Sequence, residues 1–212
     1  MRKFLLVVSL LSVGLFTQAQ QDYKAKALLD KVANKTKSYK SLEINFAFAL
    51  ANAKAKVNEK HEGKIFIKGS KYRLNLMGAE TYFNGKTQWT YLHDANEVNI
   101  SSSSDEGEAI NPAKIFTIYQ KGYSYKLKST KKEGNRTISQ VELTPYKVKD
   151  VKLIILDIDA NALQIARAKM YSKDGNQYSL VMKNMKTNSN LADSYFEFDK
   201  KKHPKVSVND MR

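Results

Sequence analysis

Three histidines, His61, His93 and His203, are the side chains of this chain best suited to proton transfer or metal binding near neutral pH, and they stand far apart with no ligand-like spacing. His93-Asp94 is the one suggestive pair, and it falls at a predicted turn, where an exposed histidine is the simpler account. Asp157 and Asp159 share one face of a predicted strand, as paired carboxylates for acid–base work would, but Asp159 leads straight into a turn and no partner base accompanies it. The sequence has no G-x-S-x-G, H-E-x-x-H or phosphate-cradling glycine loop. It has no cysteine, which excludes a thiolate nucleophile, a thiolate metal site and a disulfide framework. The expectation is a binding protein that is not an enzyme and uses no cofactor or metal.

What remains is apolar and aromatic weight on single strand faces. Phe46 and Phe48, Ile65 and Ile67, Tyr72 with Leu74 and Leu76, and Trp89 with Tyr91 recur at the period of two that puts side chains on one side of a strand. Ile115, Phe116 and Ile118 form an apolar group in an inserted segment. Met170 and Met182 add flexible thioethers that adapt to varied apolar partners. Together these are the candidate lining for an apolar ligand, with Trp89, the single tryptophan, expected to face the concave interior beside Tyr91. A curved sheet bearing them either packs them into a filled core or leaves a pocket, and patterning alone leaves both open.

The elements that must position these residues follow from the same periodicities. The first residues, MRKFLLVVSLLSVGLFTQAQ, have the charged start, short apolar run and small-residue site of a secretory signal peptide, so cleavage is expected after Ala19 or Gln20, leaving 21–212 as one exported domain. YKAKALLDKVANKTKSY places Ala25, Leu28, Leu29, Val32 and Ala33 at helical spacing, and SLEINFAFALA then switches to a long half-buried strand. Short strand-like runs follow, among them GKIFIKG, KYRLNLM, ETYF, TQWTYLH, EVNIS, VKLIILDID and QYSLVMKNM, with a last one expected in YFEFD. They are divided by turn signals such as Asn84-Gly85 and Asp174-Gly175-Asn176. About 11 strands joined by short turns imply a mainly β fold, an antiparallel meander curled into an incomplete barrel. After Asn111-Pro112, the stretch through Tyr119 to Gly122 is expected to form a short inserted helix that packs on the sheet. The net charge of +15 favours anionic surfaces or acidic partners for an exported protein, and nucleic acid is not an expected partner.

The chain resembles the LolA-type outer-membrane lipoprotein carriers of the bacterial periplasm. The resemblance rests on the opening helix ending in KSYKSLEINFAFAL, on GKIFIKG, on NGKTQWTY, on NPAKIF and on the ending YFEFDKKKHPKVSVNDMR. Asn84, Gly85, Lys86 and Trp89 match one recurring pattern, and Phe196, Phe198, Pro204, Val206, Asp210 and Arg212 match a second. The resemblance implies an incomplete β-barrel whose N-terminal and inserted helices form a lid over a hydrophobic cavity for lipoprotein acyl chains. It implies a monomeric periplasmic carrier that accepts acylated lipoproteins from an ATP-driven inner-membrane complex and delivers them to an outer-membrane acceptor. One departure stands out: the family's Arg-Pro pair after the second strand is replaced by Lys68-Gly69-Ser70-Lys71. Arg73 lies nearby but does not match the position, which leaves room for a carrier or sensor of another envelope lipid or glycolipid. A filled β-protein with an adhesive or structural role is the alternative from a different class.

Overall fold

The computed structural model describes residues 22–102, 115–147 and 150–212; the expected signal peptide and Asn111-Pro112 lie outside them. Helix α1 spans Tyr23–Ser38 and starts where Asp22 accepts hydrogen bonds from the backbone N–H groups of Lys24 and Ala25. Its three-four spacing turns Ala25, Leu29, Val32 and Ala33 to one side, and all four are buried.

The strands among the described residues form one 12-stranded sheet. In chain order the strands are β1 (Leu42–Asn52), β2 (Val57–Lys68), β3 (Lys71–Leu76), β4 (Ala79–Phe83), β5 (Thr87–Leu92), β6 (Glu97–Ser102), β7 (Tyr123–Glu133), β8 (Arg136–Pro145), β9 (Val151–Asp159), β10 (Gln164–Ser172), β11 (Gln177–Thr187) and β12 (Ser207–Asp210). Across the sheet they lie in the order β12-β6-β5-β4-β3-β2-β1-β11-β10-β9-β8-β7. The chain therefore meanders outward from β1 to β6, restarts at the far edge with β7, and meanders back until β11 pairs with β1. The edges β7 and β12 do not pair, so the sheet curves without closing, and the incomplete barrel expected from the strand count is the architecture found.

The main core lies between α1 and the inner, concave face, where Ile44, Phe46, Ile65, Val141, Leu143, Ile154, Leu156 and Leu180 are almost wholly withdrawn from water. Side chains directly opposite one another in neighbouring strands point to the same face, so the inner face can be followed by register from Met185 through Ile44, Ile65 and Leu74. Gly63 lies opposite Phe46, and a Cβ there would sit 2.3 Å from the ring carbon Cζ. The ring thus occupies the space that a side chain on β2 would need. Among the described residues no helix is long and apolar enough to cross a membrane.

Two sequence expectations are corrected. The described part of the inserted segment is a turn followed by a 3₁₀ helix at Ile118–Gln120, and the lid helix expected there is not confirmed. It places Ile115, Phe116 and Tyr119 in the core all the same. YFEFD does not form a strand: Asp193–Phe196 is a 3₁₀ helix, and the last strand is Ser207–Asp210, which pairs parallel to β6. Aromatic alternation cannot make a strand where no ladder partner is offered.

Gly63→Ala should lower the unfolding free energy by about 1–3 kcal/mol, because the Phe46 ring must leave its place. Urea denaturation of the two proteins checks this, and an unchanged midpoint would show that the ring has somewhere else to go.

Candidate functional site

The inner face is the candidate ligand surface. Phe46, Ile65, Tyr72, Ile115, Phe116 and Met170 are buried in its core cluster, and Phe48, Ile67, Leu74, Leu76, Ile118 and Met182 are half-buried against it. A pocket of about 120 Å³ opens on this side beside the end of α1, lined by Tyr39, Ile44, Phe116, Leu163, Ile165, Met182 and Met185, with Arg136 and Asp159 among its polar members. That is below the roughly 150 Å³ of an apolar cavity that admits benzene. A longer chain lying there therefore requires the elements above the sheet to move.

Among the described residues, three hydrogen bonds link α1 to the elements around it. The Asp22 carboxylate accepts the Leu127 N–H of edge strand β7 at 2.9 Å, the Tyr119 hydroxyl donates to Asp30 at 2.8 Å, and Lys35 Nζ donates to the Ala162 carbonyl at 2.8 Å. The Leu127 N–H, followed by those of α1, holds the Asp22 carboxyl below the usual carboxylate range. Burial, reinforced by the bond to Asp30, pushes the Tyr119 phenol up to about 12.

Trp89 and Tyr91 are corrected: both lie on the opposite, outer face. Phe83, which packs with Tyr72 on the inner face, is opposite Gln88, so Gln88 and Thr90 point inward while Trp89 and Tyr91 point outward. There, with Val98, they meet Phe198 and Val206 of the C-terminal segment 188–206, a strap laid across the back of the sheet. Tyr91 packs on Phe198 at 5.5 Å and on His203 at 4.5 Å between ring centroids, and His203 stacks on Phe198. Asn84 donates to Glu197, and Asn96 donates to the Lys205 carbonyl. The two sequence patterns around Trp89 and around Phe198 are thus opposite sides of one contact.

The Lys68-to-Lys71 stretch also serves the strap. Lys68 and Lys71 both pair with Asp193 at 2.8 Å, and these two ammonium groups lower its carboxyl to about 2. Arg73 lies between the rings of Tyr82 and Tyr195, 4.8 and 4.7 Å from their centroids, and pairs with Glu80 at 2.7 Å. It points away from α1 and cannot pin it. Asp157 pairs with Arg167 at 2.8 Å, and Asp159 caps its own turn by accepting from the Asn161 and Ala162 N–H groups. Among the described residues no three histidine or acidic side chains group to hold a metal.

Sequence reasoning missed the strap and the polar residues opposite Trp89. Their signal was present in the alternation of Gln88 and Thr90 with Trp89 and Tyr91, and of Asn99 and Ser101 with Val98 and Ile100.

Residues 15–191 match the family described as outer membrane lipoprotein carrier protein LolA. No curated protein matches. Similar solved structures include a DUF1329 family protein from Desulfovibrio piger, at 14% identity over 82% of this chain and 97% of that one, with a TM-score of 0.48. LolA superfamily protein NE2245 from Nitrosomonas europaea is similar at 15% identity over 82% and 97%, TM-score 0.46, and LprF from Mycobacterium bovis at 12% over 81% and 96%, TM-score 0.49.

Trp89→Ala should cost about 2 kcal/mol of stability, less than a fully buried tryptophan would, and leave binding of apolar probes to the inner face unchanged. Parallel denaturation and probe titrations test this; loss of binding in a folded variant would return Trp89 to the ligand surface. The Tyr119 phenol has a raised folded-state pKa, so its contribution is constant below pH 10 and is lost as pH rises from 10 to about 12. Tyr119→Phe should cost about 1 kcal/mol near neutrality and flatten that part of the alkaline stability profile.

Proposed function

The chain belongs to the family described as outer membrane lipoprotein carrier protein LolA, and from that premise we propose that it is a carrier, without catalysis, of acylated lipoproteins. It shields their acyl chains against the inner face of its sheet while they cross an aqueous compartment. The observation that carries this reading is the contiguous apolar inner surface from β11 through β3, covered by α1 and the 115–120 segment. An acyl chain exposed to water costs about 0.8 kcal/mol per methylene, so a soluble carrier must supply apolar area of this kind and later release it.

Release is the harder requirement, and the tethers of α1 suit it. Each of the hydrogen bonds to Asp22, to Asp30 and from Lys35 contributes on the order of 1 kcal/mol. A ligand that gains more than this against the open form shifts the population toward it. In this reading the protein works in the periplasm after removal of residues 1–20. It receives cargo from an ATP-driven inner-membrane complex and passes it to an acceptor at the outer membrane.

Displacement of a fluorescent fatty acid by a synthetic triacylated lipopeptide tests the proposal. The acylated peptide should displace the probe and its deacylated counterpart should not. Leu74→Arg, which puts a charge on the half-buried inner face, should weaken acylated binding at least about tenfold, or 1.4 kcal/mol. Native mass spectrometry of the protein recovered from its own host should show an acylated polypeptide travelling with it. A protein that ignores every acylated probe would have a filled interior and no carrier role.

A further inference from the structure

We infer that the inner face of β4, β5, β6 and β12 is a polar terrace that selects an uncharged, hydrogen-bonding head group attached to the acyl chains. This rests on the carrier reading above and adds to it the class of head group. The cross-strand row that begins with Met185, Ile44, Ile65 and Leu74 continues in register with Thr81, Thr90, Asn99 and Asn209. A neighbouring row runs from Leu42 through Ile67, Tyr72 and Phe83 to Gln88 and Ser101. Each row changes from apolar to polar near β4. At about 4.8 Å per strand, the polar part of the first row extends about 14 Å.

The heart of the terrace, Thr81, Thr90, Asn99 and Asn209 with Gln88 and Ser101, consists of uncharged hydroxyls and carboxamides, with Phe83, Leu92 and Glu97 at its borders. Thr81, Gln88, Thr90, Asn99 and Ser101 are half-exposed and Asn209 is exposed. Two internal bonds orient it, from the Tyr72 hydroxyl to Gln88 Oε1 at 2.7 Å and from Asn209 Nδ2 to Asn99 Oδ1 at 2.9 Å. The Gln88 and Asn99 amide N–H groups and the hydroxyls of Thr81, Thr90 and Ser101 make no hydrogen bond to another described residue, so they remain for a ligand. Hydroxyls and amides both donate and accept, which fits esters, amides and alcohols. Among the described residues a phosphate would meet no counter-ion there, because the charged group on this face of β5 and β6 is Glu97, at the start of β6. Trp89, Tyr91 and Val98 are engaged under the strap, and Leu92 at the far end of β5 is the apolar side chain on the face of Gln88 and Thr90, so the surface between them is polar.

Two sources supply this chemistry: the acylated amino-terminal peptide of a lipoprotein, and the sugar of a neutral glycolipid. The full chain, loaded with a fluorescent fatty acid, is titrated with three lipids of matched acyl chains: a neutral triacylated lipodipeptide amide, a monoglycosyl diacylglycerol and phosphatidylglycerol. At least one neutral lipid should bind about tenfold more tightly than phosphatidylglycerol, and the tighter of the two identifies the source. Thr90→Val combined with Asn99→Leu should abolish that preference while fatty-acid affinity stays within about twofold; Thr90→Ser with Asn99→Gln should retain it. Equal binding of all three lipids, or a preference unmoved in the Val/Leu variant, overturns the terrace and leaves the carrier reading standing. A wild-type protein that binds neither the fatty acid nor any of the lipids overturns the carrier reading itself, and the terrace with it.

Discussion

A strand side chain can point to only one of two faces, and the register between neighbouring strands carries that choice across the whole sheet. In this protein the constraint has a consequence at β4 and β5. Phe83 faces inward and stands opposite Gln88, so Trp89 and Tyr91 must face outward. The apolar phase, inward on β1, β2 and β3, is outward on β5 and β6. Such a sheet exposes aromatic surface on its back unless something covers it, and segment 188–206 covers it with Phe198, His203 and Val206. Strap, outer aromatics and polar inner terrace are therefore one structural fact seen from three sides.

The two coverings of the sheet are fastened by different means. The strap is held by two lysines on Asp193, by Arg73 between two tyrosine rings, by the buried Phe196 and by a four-residue ladder to β6. Helix α1 also buries an apolar face, but among the described residues its polar links to the sheet and the inserted segment are single hydrogen bonds spread along its length. Apolar contact is nondirectional, and a ligand's hydrocarbon can replace it. Many specific ion pairs and ring contacts are lost together when a strap is lifted. In the proposed carrier, movement that admits a ligand would thus cost less on the inner side, where the ligand's own chains would substitute for what α1 gives up.

Much of this was legible in the sequence. The alternation in SLEINFAFALA gave β1 its inner set correctly through Leu42, Ile44, Phe46 and Phe48, because a bulge in the ladder with β11 leaves the phase of β1 itself intact. VKLIILDID coincides with β9, and α1 lies where the three-four spacing put it. Trp89 misled because alternation fixes which residues share a face but not which face is inside; that depends on a strap more than a hundred residues away in sequence. YFEFD misled because it alternates like a strand while its aromatics are anchored one by one: Tyr195 against Phe66, Phe198 against Tyr82.

The change at Lys68-Gly69-Ser70-Lys71 follows from the same geometry. Gly69 takes a left-handed φ of 59° in the turn between β2 and β3, and the flanking lysines pair in register with each other. Both then reach Asp193, and Lys68 also donates to the Leu191 carbonyl. A turn that spends its two cations on the back of the sheet cannot also tie down a helix in front. In the proposed carrier, control over opening would then fall to α1's own contacts, Asp22 on Leu127 and Asp30 on Tyr119 among them. Asp22 caps its helix and blocks an edge N–H of β7 with the same carboxylate, so lifting the start of α1 uncaps the helix and unprotects the edge together. That coupling penalises opening at the first turn, so in the proposed carrier the end of α1, beside the pocket, would be the cheaper place for a ligand to enter.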